Sequence, residues 1–281
     1  MQKVRLIGFM GIVLLLLSGF FTCASASFMT GGDATSQDLA DDILDIVFVI
    51  DTSGSMWDDI SAIGAVAQSA ITNVDCPDCD VFVRAGFMGI TGIRGIFDER
   101  VSTMVTSAGG VPVSDYSEDN GPAVTDLVNW YNWNDDSTVA QDYYKAVVTI
   151  GDEGTEQGYP VTQADYDAAL VANQAAISNN VFLFSWVTDD PYSGVVDLFD
   201  IMATGGTAAA AWGGLVFGDT GGALINDAAG TGNVETLIEQ IICTAAGGGT
   251  GGGTVVPEPS TWILLMTGLA GLAFYRRKKS A

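Results

Sequence analysis

Ile46 to Ile50 is an unbroken run of five apolar residues, mostly β-branched, and it stops at Asp51. A strand with no polar side needs cover on both faces, as in a parallel sheet sandwiched by helices. Val81–Ile90, Ala146–Ile150 and Val181–Val187 also read as strands. Helical spacings lie between these runs. In Trp57–Val74 the apolar positions are Ile60, Ile63, Val66, Ala67, Ala70, Ile71 and Val74. Gly121–Trp133 reads as a second helix. Gln163–Ser178 follows a Thr162/Asp165 capping box, Gly205 and Gly206 close Val195–Ala203, and Val234–Ala245 comes last. After a Gly-rich turn at Gly92 and Gly95, Val101–Thr106 reads as an edge strand paired antiparallel. Ala208–Phe217 is loosely strand-like, and polar Phe28–Asp42 reads as a flexible lead-in. The alternation predicts an α/β fold: a Rossmann-like, doubly wound, mostly parallel sheet with one antiparallel edge strand. Such sheets bind ligands beyond the carboxyl ends of their strands. Asp51 sits at such an end.

From Asp51 the chain reads D-T-S-G-S-M-W-D-D. A carboxylate and two hydroxyls on alternate positions bring hard oxygen donors into one loop, which suits Mg²⁺, Mn²⁺ or Ca²⁺. Capping the next helix requires one such oxygen rather than three. Asp51, Ser53 and Ser55 resemble the D-x-S-x-S metal-ion-dependent adhesion site (MIDAS) of von Willebrand factor type A (VWA) domains. The resemblance runs from about Asp45 to Ala245. It implies a secreted or surface-displayed binding module whose divalent cation captures a partner carboxylate. It also implies further ligands from two later loops. Asp152 matches the family's second aspartate. The other loop departs from the family's threonine-containing pattern; Asp119 is the candidate there, with Glu118 behind it. Asp58 and Asp59 correspond to the acidic pair that integrin β-subunit domains use for an adjacent Ca²⁺. In a helix's first turn the same pair also suits the N-terminal dipole.

Charge narrows the functions. Lys plus Arg total 10 against 34 Asp plus Glu, for a net charge of −24. Between the two ends only Arg84, Arg94, Arg100 and Lys145 are basic. Nucleic acid is therefore disfavoured as a partner. The chain has no histidine, which removes His-based acid–base chemistry and His-ligated zinc. No nucleophile–base pair is visible, and the chain reads as a non-enzyme. The expected partner is a protein or polysaccharide with an exposed carboxylate. The alternative is a structural matrix protein whose cation only stabilises the fold.

The ends read as export signals. Lys3 and Arg5, apolar Leu6–Phe21 and Ala24-Ser25-Ala26 form a signal peptide over residues 1–26. Residues 27–42 read as the lead-in, 43–246 as the domain that resembles type A domains and 247–256 as a Gly-rich linker. In residues 257–281, Pro257-Glu258-Pro259 precedes apolar Trp262–Tyr275 and a basic end, Arg276-Arg277-Lys278-Lys279. This order resembles a PEP-CTERM sorting signal. It implies an exosortase-type protease as a processing partner, transient membrane anchoring through the C-terminal helix, and delivery to the bacterial cell surface or exopolysaccharide matrix. This fourteen-residue apolar segment is short against the ~20 residues that span a bilayer.

Cys76, Cys79 and Cys243 remain once the leader is removed. Cys76-Pro77-Asp78-Cys79 lacks the ligands of a zinc site. In an oxidising exterior a disulfide from Cys243 to either member of the pair would tie the first helix to the last. Trp130, Tyr131 and Trp133 are either core or a docking patch near the metal. The doublets Asp135-Asp136 and Asp189-Asp190 read as solvated turns.

Overall fold

A computed structural model describes residues 27–77, 80–114, 116, 118–156, 158–188, 194–206, 210–212, 215–217, 219–226 and 233–249. The signal peptide, the sorting segment, Cys79 and Asp189-Asp190 lie outside them.

The strands are β1 Ser27–Gly32, β2 Asp42–Ile50, β3 Val81–Gly89, β4 Glu99–Arg100, β5 Asp142–Gly151, β6 Phe182–Val187, β7 Ala210–Trp212, β8 Leu215–Phe217 and β9 Ala223–Asn226. They form one sheet in the order β1-β3-β2-β5-β6-β9-β8-β7, with β4 beside the end of β3. Helices α1 Trp57–Thr72, α2 Val101–Ser107, α3 Asn120–Trp130, α4 Gln163–Ser178, α5 Val195–Thr204 and α6 Val234–Ala246 cover it. The β2–β3, β2–β5, β5–β6 and β6–β9 pairings are parallel.

Every residue of β2 is buried, which explains its near-continuous apolar run. Leu44, Ile46, Phe48 and Ile50 pack on the face covered by α1 and α6. Val47 and Val49 pack on the opposite face, against α2, α3, α4 and α5. The alternation is the period-two geometry of a strand, here with apolar cover on both sides. Thr162 N–H donates to the Asp165 carboxylate at 2.7 Å, as the capping box at the start of α4 requires.

Two expectations are corrected. Val101–Ser107 is a helix, not an edge strand. Its buried residues are Val101, Met104 and Val105, spaced i, i+3, i+4, so packing outweighed the β-branched composition. The antiparallel edge strand comes instead from the segment read as a flexible lead-in. β1 pairs with β3 from Ser27 opposite Phe87 to Gly32 opposite Phe82. A Cβ on Gly31 would stand 2.2 Å from the Ile71 carbonyl oxygen, so only glycine allows this approach. The far edge is antiparallel as well, through β8 on β9 and β7 on β8.

The chain leaves β2 for β3 on one side and returns to β5 on the other. The strand order therefore reverses at β2, which opens a crevice at the carboxyl ends of β2 and β5.

Candidate functional site

Asp51 is the first residue past β2, and its side chain is fully buried. Its backbone is clamped between the neighbouring strands. Asp51 N–H donates to the Ile150 carbonyl at 2.9 Å, and Ile90 N–H donates to the Ile50 carbonyl at 2.8 Å. Asp51 Oδ1 accepts the Ser53 N–H at 2.7 Å, which curls the loop back on the strand end. Ser53 Oγ lies 2.9 Å from Ser55 Oγ, and Ser55 Oγ donates to Asp152 Oδ1 at 3.2 Å. Asp152 follows β5 and is 4% exposed. Met56, fully buried, anchors the far end of the loop under the Thr188 hydroxyl. The structure thus brings together Asp51, Ser53, Ser55 and Asp152 from two adjacent strand ends.

This arrangement carries uncompensated negative charge. Asp51 Oδ2 is buried and has no hydrogen-bond partner. Burial above all, then the Asp152 and Glu118 carboxylates, raise the Asp51 carboxyl to about 6 against the Ser53 N–H bond, which lowers it. Glu153, next along the β5–α4 loop, rises to about 7 through burial and a hydrogen bond shared with Glu118. Gly158, at φ +70°, lets the loop pass beneath this pair. A Cβ there would stand 2.6 Å from Glu118 Oε2 and 2.7 Å from Glu153 Oε2.

Asp119 and Glu118, the candidates read from sequence in the loop before α3, are joined by Ser114 and Asn120, which sequence reasoning missed. Asp119, 2% exposed, accepts from Ser114 Oγ at 2.7 Å. Glu118 is the residue of this loop whose charge bears on Asp51. Asn120 is fully buried; its Oδ1 accepts from Thr149 Oγ1 at 2.7 Å and its Nδ2 has no partner. The one sequence signal for this pair was Thr149, a lone hydroxyl inside an apolar strand three residues before Asp152.

Asp58 and Asp59 lie in the first turn of α1, where carboxylates complement the helix dipole. Trp130, Tyr131 and Trp133 do not border the site. α3 begins beside Asp119 and carries them away at ~1.5 Å per residue. Tyr131 and Trp133 meet edge to face at 4.7 Å against the core, and Trp133 Nε1–H donates to the Val128 carbonyl. Asp136 is no free turn residue, since Arg84 bridges it at 2.8 Å to Asp45 at 2.6 Å. Far from the crevice, Cys76 and Cys243 form a disulfide.

Among the described residues no three His, Cys, Asp or Glu side chains form a group that could hold a metal ion. A cation here would therefore depend on the Ser53 and Ser55 hydroxyls as well as on Asp51 and Asp152. The donor set fits a hard divalent cation: hydroxyl and carboxylate oxygens converge beside a buried carboxylate oxygen with no other partner.

Among the described residues no helix is long and apolar enough to cross a membrane. Among curated proteins none matches the chain. Residues 255–279 match the PEP-CTERM protein-sorting motif. That motif implies recognition by an exosortase and export to the cell surface or exterior.

Proposed function

We propose that the exported chain is a VWA-type binding module that captures a partner carboxylate through a divalent cation. Asp51, Ser53, Ser55 and Asp152 would hold Mg²⁺, Mn²⁺ or Ca²⁺, with Asp119 or Glu118 completing the set from the α3 loop. The observation that carries this reading is the buried, unpartnered Asp51 Oδ2 at the switch point of the sheet. An uncompensated buried charge is costly, and such positions persist where something completes them.

The bound cation would supply a Lewis-acidic position for an incoming oxygen. The chain's own residues do the rest. Ser53 and Ser55 contribute neutral oxygens, so they ligate the cation without adding negative charge to that of the carboxylates. Ser53 N–H holds Asp51 in one orientation. The β2 and β5 ends fix both loops, so little ordering remains to be done on binding. With a net charge of −24 the chain repels acidic partners at a distance, and a bound cation would have to reverse that field locally.

The test is capture from envelope and matrix material by the mature chain, read by mass spectrometry. The same partner should be retained in Mg²⁺ and lost in EDTA, and Asp51→Ala should lose it in both. Equal capture with and without EDTA defeats the proposal. Stabilisation by Mg²⁺ with no captured partner would favour a purely structural cation.

A further inference from the structure

A groove of about 830 Å³ opens on the outer side of α1, directly beyond the Asp51–Met56 loop. Trp57, Ile60 and Gly64 form one wall, spaced i, i+3, i+7 along a single helix face. Ile93, Arg94 and Ile96, from the segment after β3, form the other. Trp57 is 61% exposed and Ile93 55%, so two large apolar side chains stand in solvent beside the site. The far wall is held to the site loop by the Thr52–Thr91 hydroxyl pair at 2.9 Å. Its turn is closed by reciprocal backbone bonds between Arg94 and Phe97 at 2.8 and 2.9 Å.

Arg94 gives the groove its chemistry. Its guanidinium carbon lies 4.9 Å from the Trp57 ring centroid. Stacking occupies the face of a guanidinium and leaves its in-plane N–H donors for a carboxylate fork. Arg84 is committed to Asp45 and Asp136, and Lys145 to the Asn179 carbonyl. Among the described residues Arg94 pairs with no carboxylate. An unpaired cation beside apolar walls, in a chain of net charge −24, complements an anionic and apolar ligand.

We propose that this groove is the second half of the binding surface and that it selects a protein partner. The ligand is an extended acidic peptide segment. One carboxylate meets the Asp51 site, an apolar side chain enters the groove onto Trp57 and Ile93, and a second carboxylate meets Arg94. This rests on the binding function proposed above and adds the partner class. A uronic-acid polysaccharide fits less well, because isoleucine walls would desolvate its hydroxyls while, beside Arg94, the lining offers only the Ser61 side chain, whose hydroxyl already donates to the Trp57 carbonyl.

The test uses the mature chain and fluorescently labelled peptides in which a glycine spacer of varied length separates an Asp from a Leu-Glu pair. Controls replace Leu-Glu by Gly-Gln, and a labelled oligogalacturonate serves as the polysaccharide arm. Anisotropy titrations are run in Mg²⁺ and in EDTA. The best-spaced peptide should bind in Mg²⁺. Arg94→Gln and Trp57→Ala should each weaken it about tenfold, the scale of one interface anchor. The Gly-Gln peptide should bind wild type equally weakly and be insensitive to Arg94→Gln. Because comparing the two peptides on wild type changes only the peptide, that result stands even if a variant folds poorly. Peptide binding that needs Asp51 but ignores Arg94, Trp57 and Leu-Glu overturns the groove and leaves the cation site standing. Binding that needs Arg94 and Leu-Glu yet survives EDTA supports the groove and defeats the cation site. Arg94-dependent binding of oligogalacturonate with the peptides silent overturns the peptide class. Silence from every probe overturns the inference as a whole.

Discussion

Asp51 is a liability to the fold that only a bound group would offset. It is fully buried, one of its oxygens has no partner, and Asp152 and Glu118 press on it with like charge. Thermal melts near pH 7.5 would separate the two states. In EDTA, Asp51→Asn should melt no lower than wild type, because it removes buried charge. In Mg²⁺ wild type should gain stability with concentration, about 2.7 kcal/mol at one hundred times Kd, while Asp51→Asn gains nothing. A wild-type melt indifferent to Mg²⁺ would count against the site. Gly158 offers a second check, since its left-handed φ and its closeness to Glu118 and Glu153 both exclude a side chain. Gly158→Ala should cost about 1–3 kcal/mol in urea unfolding. Asp51, Ser53, Ser55 and Asp152 were legible in the sequence because each sits at or just past a strand end that its own apolar run defines. Ser114 and Asn120 were not, because their positions depend on how a loop without periodicity folds over β5.

The helices and strands were readable where burial left one periodicity. α4 spans Gln163–Ser178 as its pattern and capping box predict. Reading failed where local preference and packing pointed in opposite directions. Val101–Ser107 has strand-like composition, yet its buried residues recur at helical spacing and face α3. β1 has no apolar run to announce it, and it exists because β3 offers an unpaired edge. The disulfide belongs to the same level. Cys76, just past α1, joins Cys243 in α6 across 167 residues, on the face opposite α2–α5. Closing so long a loop restricts the unfolded chain, so Cys243→Ser should lower stability by about 2–4 kcal/mol. Urea unfolding with and without reductant would measure it. No difference between the reduced and oxidised chains would mean the bond contributes nothing to the fold.

Across the molecule, acidity and export belong together with the sheet's two ends. At the carboxyl ends lies the crevice; at the amino ends Asp42 is 9% exposed. Burial first, then Asp142, Asp41, Asp33 and Asp80, raise Asp42 from 3.8 to about 6. The folded chain therefore holds a proton that the unfolded chain has released, and the Asp42 contribution falls as pH rises from about 4 to about 6. Asp42→Asn should raise the melting temperature at pH 7.5, give little at pH 4, and flatten the profile between them. A gain of equal size at both pH values would contradict this origin. By itself, the sequence determined the class of fold, the address at residues 255–279 and the oxygen-rich loop after the first buried strand, because apolar periodicity, short motifs and charge are local properties of a chain. Only the tertiary structure decided which strand forms the edge, which cysteines meet, that Asp152 meets Ser55, and that Trp57 and Arg94 line one groove. Those outcomes depend on contacts between segments far apart in sequence, whose free energies no local pattern encodes.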